Sequence, residues 1–390
     1  MSDQAVLISG AGIAGPTLAY WLARHGFRPT VVEHAAALRS SGSPVDVRGP
    51  AVEVAERMGV MPAIRQAGTD RTGTSFVNAN GRRVGRVNQR ALQQAAGSRE
   101  VELPRGDLAA ILYQAGRDDA EFVFGDAIVA LSQDEHGVDV TFEHAQPRRF
   151  DLVIGADGLH SAVRRLAFGP ESDFIQHLGI YVATVRLDGL DGLIEGGREV
   201  VMYNTPGRAA AIHPSRGQAL AFFAFRSPAV PDFDYRDTTQ HKRLLTAAFA
   251  DGGWRVPELL KRVQATDDLY FDSVSQVQVR PWWHGWVALV GDAASCVSLF
   301  GDGSSLAMAG AFTLAEQLAA CPADHQSAFR RYDASHRVLV DPKQRNIARG
   351  ASLLIPATRP GILARNLATR LWPLAAATGW LRRRLAHVPM

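Results

Sequence analysis

Ala5-Val-Leu-Ile-Ser-Gly10-Ala-Gly12-Ile-Ala-Gly15, with the helix-like run Thr17 to His25 and then Gly26 and Thr30-Val-Val-Glu33, is the stretch that decides the fold. Ala5 to Ile8 is a short apolar strand that stops at Gly10. Thr17 to His25 has helical character and ends at Gly26, a residue suited to a left-handed cap. A strand, turn, helix and strand within about thirty residues is the size of one right-handed parallel crossover, so a doubly wound sheet is expected. Gly10 permits the tight turn, Gly12 lets backbone approach a pyrophosphate, and Gly15 lets the helix sit close to the strand. Amides at the helix start, including those of Ile13 and Ala14, would stabilise phosphate charge. Glu33 is placed to accept ribose hydroxyl hydrogens, and an acid there would repel a 2'-phosphate; His34 follows it in the same loop.

Further along the chain, Arg39 to Pro44 is loop by composition. Val45-Asp46-Val47-Arg48-Gly-Pro50 leads into a helix predicted over Ala51 to Met58. Thr74 to Arg90 is expected to be a hairpin turning at Asn80-Gly81, and Leu103 to Ala115 a helix. From about Asp173 to Asp272, strand-like runs such as Tyr181 to Leu187 and Ala219 to Phe225 alternate with Gly- and Pro-containing turns, which predicts an antiparallel sheet. Trp286-Val-Ala-Leu-Val-Gly291 returns to the first sheet, followed by a helix over Ser304 to Ala320. The first domain is therefore discontinuous. Its pieces are expected at 1–72, 100–174 and 273–345, with the sheet domain at 73–99 and 175–272 and a helical region at 346–390.

Two later motifs specify the ligand. With Ile154-Gly-Ala-Asp157-Gly158-Leu-His-Ser161-Ala-Val-Arg164 and Gly291-Asp292-Ala-Ala294, the chain resembles the class A FAD-dependent aromatic hydroxylases, a family that includes p-hydroxybenzoate hydroxylase and the tetracycline-inactivating monooxygenases. The resemblance runs in order over nearly the whole chain. It implies an α/β fold: a doubly wound Rossmann-type FAD-binding domain, an inserted, mainly antiparallel substrate domain and a C-terminal helical region. It implies that Asp157 and Gly158 serve FAD and a transient NAD(P)H, and that Asp292 holds the ribityl side of FAD. Arg105 matches a family arginine beside the phosphates, and Arg48 lies where the family places residues near the flavin ring. Gly301-Asp302-Gly303-Ser304 would open a helix whose positive end favours the reduced, anionic flavin. Ser295 and Leu299 depart from the His and Pro carried by many members. The activity implied is oxygenation of an aromatic or polycyclic molecule by NAD(P)H and O2 through a flavin C4a-hydroperoxide. A flavin-dependent reductase or dehydrogenase on the same scaffold, or a non-catalytic FAD-binding protein, are the alternatives.

Tyr181, Met202, His213, Phe223 and Phe225 are candidate substrate-binding residues, because one sheet face should cover the flavin and an apolar, partly aromatic cavity suits a flat substrate. No catalytic base is assigned. Trp282-Trp-His-Gly-Trp286 is expected to pack where the chain crosses between domains.

The composition excludes other classes. The chain has 390 residues, 46% hydrophobic and 21% charged, with a net charge of +3, too weak to argue for nucleic acid. Two cysteines support neither a disulfide framework nor a thiolate metal site, and no His-Glu-x-x-His or Cys-x-x-Cys occurs. No apolar run reaches the roughly 20 residues of a membrane span, and nothing before Ala5 resembles a signal peptide. A cytoplasmic monomer or homodimer without stable membrane insertion is expected. The leucines and arginines between Ile362 and Leu385 suggest a helix packed across the domains with its arginines outward.

Overall fold

The computed structural model describes residues 3–38, 42–187, 197–215, 218–296 and 302–369. The chain forms two compact units, Met1–Thr69 with Arg99–Leu178 and Val274–Ala348, and Asp70–Ser98 with Gly179–Ser273 and Arg349–Met390.

The first unit is built on a six-stranded sheet in the order Trp283–His284, Val287–Leu289, Leu152–Gly155, Ala5–Ser9, Arg28–Glu33, Glu121–Phe124. All neighbours are parallel except the first pair. Helices cover such a sheet on both sides, so its central strands Ala5–Ser9, Leu152–Gly155 and Val287–Leu289 are almost wholly apolar. Val6, Leu7, Ile8, Leu152, Val153 and Ile154 are completely buried. From Ala5–Ser9 the chain winds first to one side of the sheet, through Arg28–Glu33 and Glu121–Phe124, and later to the other, through Leu152–Gly155. The order therefore reverses between Ala5–Ser9 and Leu152–Gly155, the place where open α/β sheets bind ligands at their carboxyl edge. Helices Ala14–Arg24 and Asp302–Ala320 pack together, and Arg105–Gly116 meets the former at Tyr20.

Helix His325–Leu354 runs for 30 residues and carries Pro342 inside it. Trp282, only 1% exposed, packs on Tyr332 and His336 of this helix, so that tryptophan belongs to the core of the first unit. Trp286 stacks on His325, with ring centroids 3.9 Å apart.

The second unit is a seven-stranded sheet ordered Leu269–Val277, Ile175–Arg186, Gln218–Arg226, Arg208–Ser215, Glu199–Thr205, Gly73–Val77, Arg83–Val87. Glu199–Thr205 and Gly73–Val77 run parallel. Helices Thr238–Phe249 and Val256–Ala265 cover one face. Three of the residues expected to bind substrate, Tyr181, Phe223 and Phe225, lie on that face. Phe223 is fully buried, with its ring 5.1 Å from Phe249, while Tyr181 stacks between Phe225 and Phe271. The Tyr181 hydroxyl accepts a hydrogen bond from Val230 N at 2.9 Å. Burying these rings against the helices removes a large apolar area from water, so Tyr181, Phe223 and Phe225 form the core of the unit. Met202 and His213, one residue out of step with the buried Tyr203 and Ile212, lie on the opposite face of the sheet.

Residues 359–369 are helical and dock on the edge strand of the same unit. A side chain at Gly85 would come 2.7 Å from Thr369 Oγ1. Arg365 points inward, with its guanidinium 3.9 Å from the Phe76 ring centre and donating to the side-chain oxygens of Asn204 and Asn366. Burial lowers its pKa to about 10, and among the described residues it has no carboxylate partner. An outward orientation was expected for it; Leu363 and Leu367 are exposed instead. The remainder of the expected helix, to Leu385, lies outside the described residues.

Candidate functional site

Three loops leave the carboxyl edge of the parallel sheet side by side. Gly10 donates to Val32 O, Ala156 to Ser9 O and Val290 to Gly155 O, so each loop begins while still held by the neighbouring strand. Glycine lets them close in. With φ at +105°, Gly10 packs so tightly on the second loop that a Cβ would sit 2.6 Å from Ala156 O. At Gly15 a Cβ would lie 1.9 Å from Gly10 O, which no side chain can relieve. The third loop closes on the first, where a Cβ on Gly291 would be 3.1 Å from Ala14 Cβ. Sequence segments about 140 residues apart thus share one small volume.

The start of helix Ala14–Arg24 is open to a ligand. Its N-cap, Ile13, supplies no side-chain oxygen to the first-turn amides, and a Cβ on Gly12 would meet nothing within 4 Å. Unsatisfied amides beside free space suit a pyrophosphate, so this donor set fits the dinucleotide expected there. Glu33 is oriented by two backbone donors, Ala11 N at 2.8 Å and Ala35 N at 2.9 Å, one on each carboxylate oxygen. Each oxygen keeps a further lone pair for a ribose hydroxyl. His34 is exposed beside it.

The structure places Asp157 inside the second loop. Its carboxylate accepts from Ser161 Oγ at 2.5 Å, Val163 N at 3.1 Å and Ser9 Oγ at 3.3 Å. Burial pushes its pKa up, opposed by the bonds from Ser161 and Val163. Its evident work is to shape the turn at Gly158, where φ is +79° and a side chain would meet only open space. Arg164, absent from the candidate set although it lies in the motif, joins this loop to the next. Fully buried, it donates to Leu159 O and to Ala293 O in the short helix Asp292–Ser295.

Asp292 opens that short helix, and Gly303 lies beside it, its Cβ position 3.6 Å from Asp292 Oδ1. Gly301 lies outside the described residues, as does Leu299. Ser304 and Ser305 donate to Asp46 O at 2.7 and 2.8 Å, and Arg48 N donates back to Ser305 Oγ at 3.0 Å. Arg48 therefore joins the start of helix Asp302–Ala320. Arg105 is held apart from it by the ribbon that pairs Val45–Val47 with Val101–Leu103, since the two arginines flank opposite ends. Arg105 is exposed at the first position of its helix. Lys343, which no sequence pattern singles out, reaches Asp302 Oδ1 at 2.5 Å.

Comparison with known proteins shows the family. Residues 3–337 match the family described as FAD binding domain. An uncharacterised protein of Mycobacterium tuberculosis is 40% identical over 345 residues, covering 87% of this chain and 92% of its own length. A flavin-dependent monooxygenase of Legionella longbeachae is 36% identical over 350 residues, covering 87% of each. The crystal structure of tetracycline destructase Tet(51) superposes with a TM-score of 0.82 at 31% identity, covering 94% of this chain and 95% of its own. The chain belongs to the FAD binding domain family and is an FAD-dependent monooxygenase, an oxidoreductase. Among the described residues, no helix is long and apolar enough to cross a membrane.

Proposed function

We propose that the protein uses NAD(P)H and O2 to hydroxylate an electron-rich aromatic or polycyclic small molecule. The observation that carries this reading is the meeting of three loops over an uncapped helix start at the sheet's switch point. In this reading the amides of Gly12 to Gly15 take the pyrophosphate, Glu33 the adenosine ribose, Arg105 a phosphate oxygen and Asp292 the ribityl hydroxyls. Asp157 and Gly158 shape the second loop, and Gly303 and Ser304 the first turn of helix Asp302–Ala320 beside Asp292. Bound FAD would supply the redox chemistry, with NAD(P)H as the electron source, one atom of O2 entering the substrate and the other leaving as water. The protein supplies orientation and dryness, and no side-chain nucleophile is required.

For the substrate, the reading takes the sheet face bearing Met202 and His213, because the other face is filled by core rings. Likeness to a tetracycline destructase supports a fused-ring phenolic compound. A cytoplasmic monomer or homodimer belongs to the same reading. The test is a panel of phenols, quinones and tetracycline-like compounds assayed for accelerated NAD(P)H oxidation under 18O2. One labelled oxygen atom in a product establishes the activity. NAD(P)H consumption with product formed but unlabelled would replace it with a reductase or dehydrogenase.

A further inference from the structure

Asp302 is the first residue of helix Asp302–Ala320, where a lone carboxylate would cancel much of the helix's positive end. It is not alone. One oxygen, Oδ1, receives Arg48 Nε at 3.0 Å, Arg48 Nη2 at 2.9 Å and Lys343 Nζ at 2.5 Å. The three come from a loop, a helix start and the middle of a second long helix, far apart in sequence. Arg48 also lies 3.6 Å from Asp46, whose carbonyl holds both serines of the helix's first turn. The carboxylate side chain is 15% exposed, so its pairing is only partly screened by water.

We propose that Asp302, Arg48 and Lys343 form a charge lock that positions the amino end of this helix and sets how strongly the site favours reduced over oxidised flavin. The lock rests on the FAD seat proposed above. Arg48 and Lys343 offset the Asp302 charge, so the helix's positive field persists toward the site; removing one cation exposes the carboxylate and weakens that field. These residues act through the helix and are positioning residues.

The test is the flavin midpoint potential of purified holoenzyme, with oxidised-FAD affinity and thermal melting measured beside it. Lys343 is 39% exposed, so Lys343→Met removes its charge with little disturbance to packing. The ratio of affinities for reduced and oxidised FAD should fall about tenfold in this variant, a potential about 30 mV more negative. Asp302→Asn should move it the opposite way by a similar factor, and the double variant should return near the wild type. A merely structural role would weaken both oxidation states alike and lower the melting temperature without moving the potential. Shifts of the same sign, or less than twofold in the ratio for both variants, overturn the lock while leaving the FAD seat intact. Wild-type protein that binds no FAD overturns both.

Discussion

Acidification should loosen the first unit through a single imidazole. His336 is 3% exposed, sandwiched against Tyr332 and Trp282, with its ring where a side chain at Gly310 would have to go, 2.8 Å from that Cβ position. Burial drives its pKa from 6.5 down to about 4, against a smaller upward pull from the Leu306 carbonyl, and among the described residues no charged neighbour compensates. The folded protein therefore prefers the neutral ring, whereas the unfolded chain protonates near 6.5. The resulting stability is fully present above pH 6.5 and is lost as the pH falls toward 4. A gap of about 2.5 pH units at about 1.36 kcal/mol each makes the loss about 3 kcal/mol, a sizeable share of a typical domain's stability. The perturbation is His336→Phe, which keeps an aromatic ring but cannot titrate. Urea unfolding followed by tryptophan fluorescence between pH 7 and 4 should give a steeper decline for the wild type, the two curves diverging by about 3 kcal/mol. Parallel curves would refute the reasoning, as would a titration of His336 near 6.5 in the folded protein by NMR.

Further outcomes separate the roles of neighbouring residues. Gly15→Ala should abolish FAD uptake and lower the melting temperature, because its Cβ would lie 1.9 Å from a backbone oxygen; Gly12→Ala should leave stability within about 1 kcal/mol while weakening FAD at least about tenfold, as its Cβ enters open space needed by the phosphates. Both are read by flavin absorbance after gel filtration. Arg105→Ala should weaken FAD binding by about 10- to 100-fold, the value of one or two charge-assisted bonds, with the melting temperature of the apoprotein unchanged. Phe223→Ala should cost about 3–5 kcal/mol in urea unfolding, and substrate affinity measured on the surviving folded protein should stay within about twofold.

The first crossover was legible because its signals are local: an apolar strand, a helix, and the motif glycines, of which Gly10 and Gly15 are sterically required by their contacts. The motifs at Asp157 and Asp292 were equally plain, yet Ser9, which also binds the Asp157 carboxylate, and the Ala293 carbonyl that holds Arg164 are brought in only by tertiary packing. In strand Gln218–Arg226 alternation puts Phe223 and Phe225 on one face, but the sequence could not say which face was covered. That depended on helices Thr238–Phe249 and Val256–Ala265, which lie inside a stretch of strand-like sequence. Helix His325–Leu354 runs through the expected boundary at 345/346 despite Pro342, because both its halves have apolar partners to bury. Lys343 carried no signal at all: its meaning comes from a carboxylate on another helix.

The glycine turn near the amino terminus is finished by residues that the ribosome makes much later. Ala156 walls one side of Gly10, and Gly291 closes over Ala14. During synthesis the earliest motif must wait, incomplete, until more than two-thirds of the polypeptide has emerged, and the intervening strands must stay unaggregated meanwhile. Nascent chains stalled before residue 290 should not retain flavin. Cofactor capture is thus postponed to a late step of biogenesis, after both flanks of the central strand have been laid down.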